Sequence, residues 1–183
     1  MRLLVFILLV ALAACAKPPV NRALDAPPLQ TVSNVDLDHY LGRWYEIARL
    51  PNSFEENCDG VTADYSLRDD GKIKVVNTCR LGAPDGEIKT ANGKARIVDA
   101  TTNAKLEVSF FGPFYGDYWI IELAEDYSLS IVGEPSGRYL WVLSRTPEIS
   151  GDVRDEAIAT LAAFGYDASK LYFPKQPPVP DNP

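Results

Sequence analysis

Gly42-Arg43-Trp44-Tyr45-Glu46-Ile47-Ala48-Arg49 opens the β-rich part of the chain. The run holds aromatic and apolar residues and no proline, as an extended strand leaving a turn at Gly42 would. About a hundred residues later, Ser144-Arg145-Thr146-Pro147 closes the last strand-like run. Trp44 is a large amphipathic ring, and Arg145 is a flat cation able to stack on one.

Between these two landmarks the pattern predicts eight short strands, at residues 44–49, 61–67, 72–79, 93–98, 105–111, 118–123, 129–132 and 139–144. Asp69-Asp70-Gly71 separates the second and third, and Gly71 suits a backbone with positive φ. Eight strands at regular spacing, joined by hairpin loops, predict a mainly β fold: an eight-stranded antiparallel up-and-down barrel. Such a barrel is wide enough inside for one small ligand. Residues 36–41 read as a short helical turn. Ser150 can N-cap a C-terminal helix, with Asp152 and Asp155 near its positive end. Val153, Ala157, Ile158, Leu161 and Phe164 form the apolar face of that helix, and Gly165 suits its C′ position. The helix must pack on the outer wall of the barrel.

The Gly42-x-Trp44 start and the Arg145 finish resemble the signature of the lipocalins, in particular the lipoprotein members of bacterial outer membranes. The resemblance runs over about residues 34–174. It implies a carrier of small ligands rather than a catalyst, with Gly42, Trp44 and Arg145 closing the base of the barrel. It also implies that Tyr139, Trp141 and Leu143 point inward, in phase with Arg145.

The 183 residues suffice for one domain with a real core. Lys and Arg number 18 against 25 Asp and Glu, a net charge of −7. That balance argues against a nucleic-acid partner, because the basic footprint is missing. One His and three Cys leave little for metal sites or His-dependent triads, and neither a metal nor a cofactor is expected. His39, before the first strand, reads as an exposed turn residue. No nucleophile elbow, phosphate loop or metal-ligand spacing is present.

The N-terminus reads as a targeting segment. Arg2 is a minimal basic region, and residues 3–12 are apolar but half the length a bilayer span requires. Leu12-Ala13-Ala14-Cys15 resembles a bacterial lipobox, so residues 1–14 are expected to be a lipoprotein signal peptide and Cys15 the lipidated residue. By the same resemblance Ala16, where Asp would mark retention in the inner membrane, implies the outer membrane, facing the periplasm. Two or three acyl chains anchor stably where one would not. Residues 15–33 read as a Pro-rich flexible tether, 34–174 as the domain, and 175–183 as a Pro-rich disordered tail.

Alternation nominates the interior. Leu106, Val108 and Phe110 alternate with Lys105, Glu107 and Ser109 and point inward. Ala63, Tyr65, Val75 and Asn77 line the neighbouring hairpin on the same argument, with Asn77 an unusual polar member. Tyr118 joins them as a candidate ligand contact. Counting from Trp44, Glu46 and Ala48 also face inward. A carboxylate there needs a partner or a raised pKa. Glu46 is either a polar anchor for a ligand head group or a structural acid bonded to Arg145, Arg96 or tyrosines. Residues 110–118 read as a loop with five aromatics, which could be a lip at the mouth, a plug, or the contact of a homodimer. Cys58 and Cys79 are expected to pair in an oxidising compartment. A two-residue Asp70-Gly71 turn would not place them opposite each other, so a bulge near Asp59-Gly60 must correct the offset.

The expected function is an outer-membrane-anchored protein holding a fatty acid, lysophospholipid or similar amphiphile in its barrel. Two alternatives stand beside it: an enzyme of the same fold acting on a lipophilic substrate, and a structural envelope protein with a filled barrel.

Overall fold

The computed structural model describes residues 21–23 and 25–178. The targeting segment, Cys15, residues 16–20 and residues 179–183 lie outside them. Eight strands follow in order: β1 Gly42–Arg49, β2 Cys58–Leu67, β3 Ile73–Leu81, β4 Ile88–Ile97, β5 Lys105–Phe111, β6 Phe114–Leu123, β7 Leu129–Gly133 and β8 Leu140–Ser144. Each pairs antiparallel with the next, and β8 returns to β1 to close the barrel. Closure leaves no edge strand, although the mouth end of β4, residues 88–93, runs past its pairing with β5.

The two ends of the barrel differ. The β2–β3, β4–β5 and β6–β7 turns share one end with the chain leading into β1. A short helix, α1 (Leu37–Tyr40), crosses this end, capped by the Asp36 carboxylate, which accepts from the backbone of Asp38 and His39. Val35 N–H donates to the Thr102 carbonyl at 2.8 Å, and Asp36 N–H to the Tyr127 hydroxyl at 2.8 Å. This is the closed end. The β1–β2, β3–β4, β5–β6 and β7–β8 connections surround the other end, the mouth.

Two apolar clusters result. One fills the lower interior around Trp44, Val75, Leu106, Ile120, Val132 and Leu143. The other lies outside, where helix α2 (Gly151–Ala163) lays Ala157 and Leu161 on Ile47, Ala48, Leu140 and Val142. Ser150 caps α2 by accepting from Val153 N–H, and Gly165 follows its end at φ +82°. Val153 stays 37% exposed, so the packed stripe is narrower than the apolar pattern.

Several sequence expectations need correction. Ala48 does not face inward. A bulge shifts the β1–β8 register between Glu46 and Ala48. The extra residue turns both Ile47 and Ala48 toward α2 and brings Arg49 inward. The β2–β3 hairpin carries three residues beyond the Arg68–Lys72 bond, with Gly71 at φ +74°, so Leu67 pairs with Ile73. The Asp70 carboxylate favours this longer turn by accepting from Lys72 N–H at 3.2 Å. A register shift between Asp59 and Thr62 narrows the offset but still leaves Cys58 opposite Leu81, so the disulfide to Cys79 runs diagonally across the strand pair, its Cα atoms 5.2 Å apart. The aromatic stretch 110–118 is not a loop: β5 and β6 run into it, leaving only Gly112-Pro113 as the turn.

The described part of the expected tether is not free chain. Ala23 N–H donates to the Gly165 carbonyl at 2.7 Å, Val32 N–H to the Ile120 carbonyl at 3.1 Å, and Leu29 is buried in the outer cluster. The expected disordered tail is likewise docked as far as Gln176. The bulges in β1 and β2 leave backbone groups without ladder partners, and the tail supplies them. Gly60 N–H donates to the Lys175 carbonyl at 2.8 Å, and the Gln176 side-chain amide donates to the Glu46 and Val61 carbonyls at 2.8 and 2.9 Å.

The barrel interior as candidate ligand site

The closed end is built around Trp44, which is fully buried and donates its indole N–H to the Tyr40 carbonyl at 2.9 Å. The Arg145 guanidinium lies 3.8 Å above its ring. Its donors reach the Arg43 carbonyl at 2.8 Å, Tyr40 at 3.2 Å, Tyr127 at 3.3 Å, and His39. One planar group thus ties β1, α1, the β6–β7 turn and the end of β8 together. Gly42 beside it is required by its backbone, at φ +94°, rather than by space, since an added Cβ would sit in ordinary contact 3.5 Å from Arg145 Nη1.

Above this floor three phenols meet. The Tyr118 hydroxyl is 2.9 Å from that of Tyr40 and 3.0 Å from that of Tyr65, and Tyr40 reaches Ser130 Oγ at 3.3 Å. Burial raises the pKa of all three tyrosines, so the cluster is neutral but polar.

The wall toward the mouth is charged. Glu46 is 2% exposed and accepts from Arg49 Nη1 at 2.6 Å. Arg49 Nη2 donates to the carbonyls of Glu55 and Cys58, at 2.7 and 3.2 Å. The Glu55 carboxylate accepts from Asn52 Nδ2 at 2.6 Å and from Trp141 Nε1 at 3.0 Å. Burial and the neighbouring Glu55 carboxylate push Glu46 well above the usual carboxylate range, although Arg49 opposes them. The Glu46 partner is therefore Arg49, not Arg145 or Arg96. Arg96 sits outside, bonded to Glu107 at 2.6 Å.

The other nominated residues are distributed as follows. Tyr65, Val75, Leu106, Val108, Phe110, Tyr118, Trp141 and Leu143 belong to or pack on the interior cluster. Tyr65, Val108, Phe110, Tyr118 and Trp141 are only half-buried, whereas Trp44, Ile120 and Val132 at the floor are fully enclosed. Ala63 is buried on β2, opposite Trp44 on one side and Asn77 on the other. Asn77 itself has small neighbours on both flanking strands, Ala63 and Ala91, and its buried Oδ1 has no partner among the described residues. Phe110 lies over Gly93, where a Cβ would come within 2.8 Å of the ring. Tyr139 stacks on Trp141 at 6.0 Å between ring centres, and Phe54 of the β1–β2 loop lies against Tyr139 at 5.5 Å.

Sequence reading missed Tyr40, Arg49, Glu55 and Ser130. The Glu46-to-Arg49 spacing was visible, but strict alternation put the two on opposite faces. Only the bulge reunites them.

A family model described as a lipocalin-like domain matches residues 35–176. Outer membrane lipoprotein Blc of Escherichia coli (strain K12) is 46% identical over 172 residues, 92% of this chain and 96% of that relative. The protein of the same name in Vibrio cholerae is 43% identical over 159 residues, 86% of this chain and 92% of that one. Among solved structures, insecticyanin from the tobacco hornworm Manduca sexta shares the fold with a TM-score of 0.65 at 26% identity, covering 82% of this chain and 85% of that one. Closed barrel, capping helix, Trp44–Arg145 stack and family match agree: the chain belongs to the lipocalin family.

Proposed function

We propose that this lipocalin is anchored to the bacterial outer membrane through acyl chains on Cys15 and carries one fatty acid, lysophospholipid or similar amphiphile in its barrel. The observation that carries this reading is the interior wall, in which half-buried apolar side chains stand beside polar groups. Val108, Phe110 and Trp141 offer surface to an acyl chain. The unpartnered Asn77 oxygen, the phenol cluster and the Glu46–Arg49 pair suit a polar head group. Burying ten methylenes contributes about 8 kcal/mol gross, and association costs reduce it to roughly micromolar affinity or somewhat tighter. The names of the bacterial relatives support the outer-membrane location. The reading is of a binder: the bacterial relatives are named as lipoproteins of the outer membrane, and Cys58 is held in a disulfide, which removes its thiol as a nucleophile.

The test is a paired measurement on Val108→Trp. In a lipid carrier the added ring occupies the ligand space, so fatty-acid affinity is lost with little change in unfolding free energy. In a solidly packed barrel the same substitution overpacks a core and costs about 1–3 kcal/mol. Strong destabilisation, together with no fatty-acid or lysophospholipid binding by the parent protein, ends the carrier reading.

A further inference from the structure

The mouth of the barrel carries exposed phenylalanines on separate connections. Phe111 and Phe114 face each other across the β5–β6 turn at 82% and 76% exposure, and Phe54 of the β1–β2 loop is 61% exposed. Ile88, at the mouth end of β4, is also exposed. The tip Phe111-Gly112-Pro113-Phe114 has no charged side chain. Large apolar groups gathered at one end in this way mark an interaction surface. Among the described residues, the large apolar side chains exposed at the closed end are the isolated aliphatic residues Leu67 and Val98, an ordinary surface feature.

The chain also enters the domain at the mouth. Asn21 N–H donates to the Gly137 carbonyl at 3.3 Å, and its side chain to the Arg138 carbonyl at 3.4 Å, both in the β7–β8 connection. Cys15 lies six residues earlier, which allows at most about 20 Å of extended chain. The ten-residue strand β2 alone runs about 33 Å along its axis. Barrel strands tilt by about 35–45°, so that strand still spans roughly 25 Å of barrel height, and an anchor at Cys15 lies nearer the mouth than the closed end.

We infer that the phenylalanine rim of the mouth docks on the lipid surface, so that the barrel opens directly into the headgroup region of the membrane that anchors it. The inference rests on the Cys15 anchor proposed above. It selects the lip among the readings of the aromatic stretch. Phe54, resting on Tyr139 and Trp141 at the entrance, sits where an amphiphile must pass between bilayer and barrel.

The experiment uses the full-length acylated protein on vesicles of phosphatidylethanolamine and phosphatidylglycerol containing lipid brominated near the headgroup end of its acyl chains. Phe111→Trp, Phe114→Trp and, as a control, Leu67→Trp are compared with the parent, and Cys15 acylation is checked by mass on the same samples. Interfacial burial of ~5–10 Å predicts that the two rim variants lose emission about twofold beyond the parent, while the control does not. Acylated protein with no rim quenching overturns the proposal. So does a rim covered by a second copy: no quenching, and a dimer that Phe111→Ser with Phe114→Ser dissociates. An unmodified Cys15 overturns the anchor and the placement built on it, and the mass shows this before any fluorescence is read. If the rim variants fail to fold, shallow quenching of the parent's Trp141, abolished by Phe54→Ser, reads the same contact; no quenching of that parent overturns the proposal.

Discussion

Arg145→Ala is the sharpest test of how the barrel is closed. The guanidinium donates to four carbonyls, those of His39, Tyr40, Arg43 and Tyr127, and covers the Trp44 ring at 3.8 Å. The site is half-buried, so the freed carbonyls recover some water, and each bond contributes about 0.5–1 kcal/mol net. The cation over the ring adds about 0.5–1 kcal/mol. The variant should therefore lose about 3 kcal/mol. At a urea dependence of ~1–3 kcal/mol per molar, that lowers the unfolding midpoint by about 1–3 M. Arg145→Lys keeps the charge but not the planar fork, and should lose about 1–2 kcal/mol. Arg96→Ala is the control: its exposed pair with Glu107 is of a kind worth under about 1 kcal/mol. Urea unfolding with the disulfide intact, followed by tryptophan fluorescence, measures all three. An unchanged midpoint in Arg145→Ala, or a loss no larger than that of Arg96→Ala, refutes the closing role.

Glu46 titrates above the usual carboxylate range because of burial and Glu55. A raised folded pKa gives stability that is complete at acid pH and is lost as pH rises through that pKa. Glu46→Gln should flatten this decline above about pH 4.5; equal slopes in parent and variant would count against the assignment. Gly93→Ala should cost about 1–3 kcal/mol, because its Cβ meets the Phe110 ring at 2.8 Å and the Ser109 carbonyl at 2.9 Å. A thermal midpoint equal to the parent's would show that Phe110 moves freely. Replacing Cys58 and Cys79 together by Ser should cost about 3 kcal/mol, as their 21-residue separation implies in the chain-entropy model. Chemical denaturation under oxidising conditions checks this, and a change within error means the bridge adds nothing.

The sequence by itself determined the barrel, its strand order and its capping helix. Period-two alternation, hairpin turns and helix caps are local signals, each readable within a few residues. It also picked out Trp44 and Arg145, through the resemblance of Gly42-x-Trp44 and Arg145 to the lipocalin signature. Only the tertiary structure decided what depends on register. One extra residue in a strand exchanges the faces of everything beyond it. The bulge after Glu46 thus sends Ala48 out to α2 and Arg49 in to Glu46, and nothing in the local sequence marks the insertion. The same bulges free the Glu46 and Val61 carbonyls, which draws the proline-rich tail onto the wall through Gln176. Composition alone makes that tail, like the segment before the barrel, look like unattached chain. Backbone groups left over by an irregular ladder need partners from elsewhere, and those partners become visible only when the whole barrel is closed.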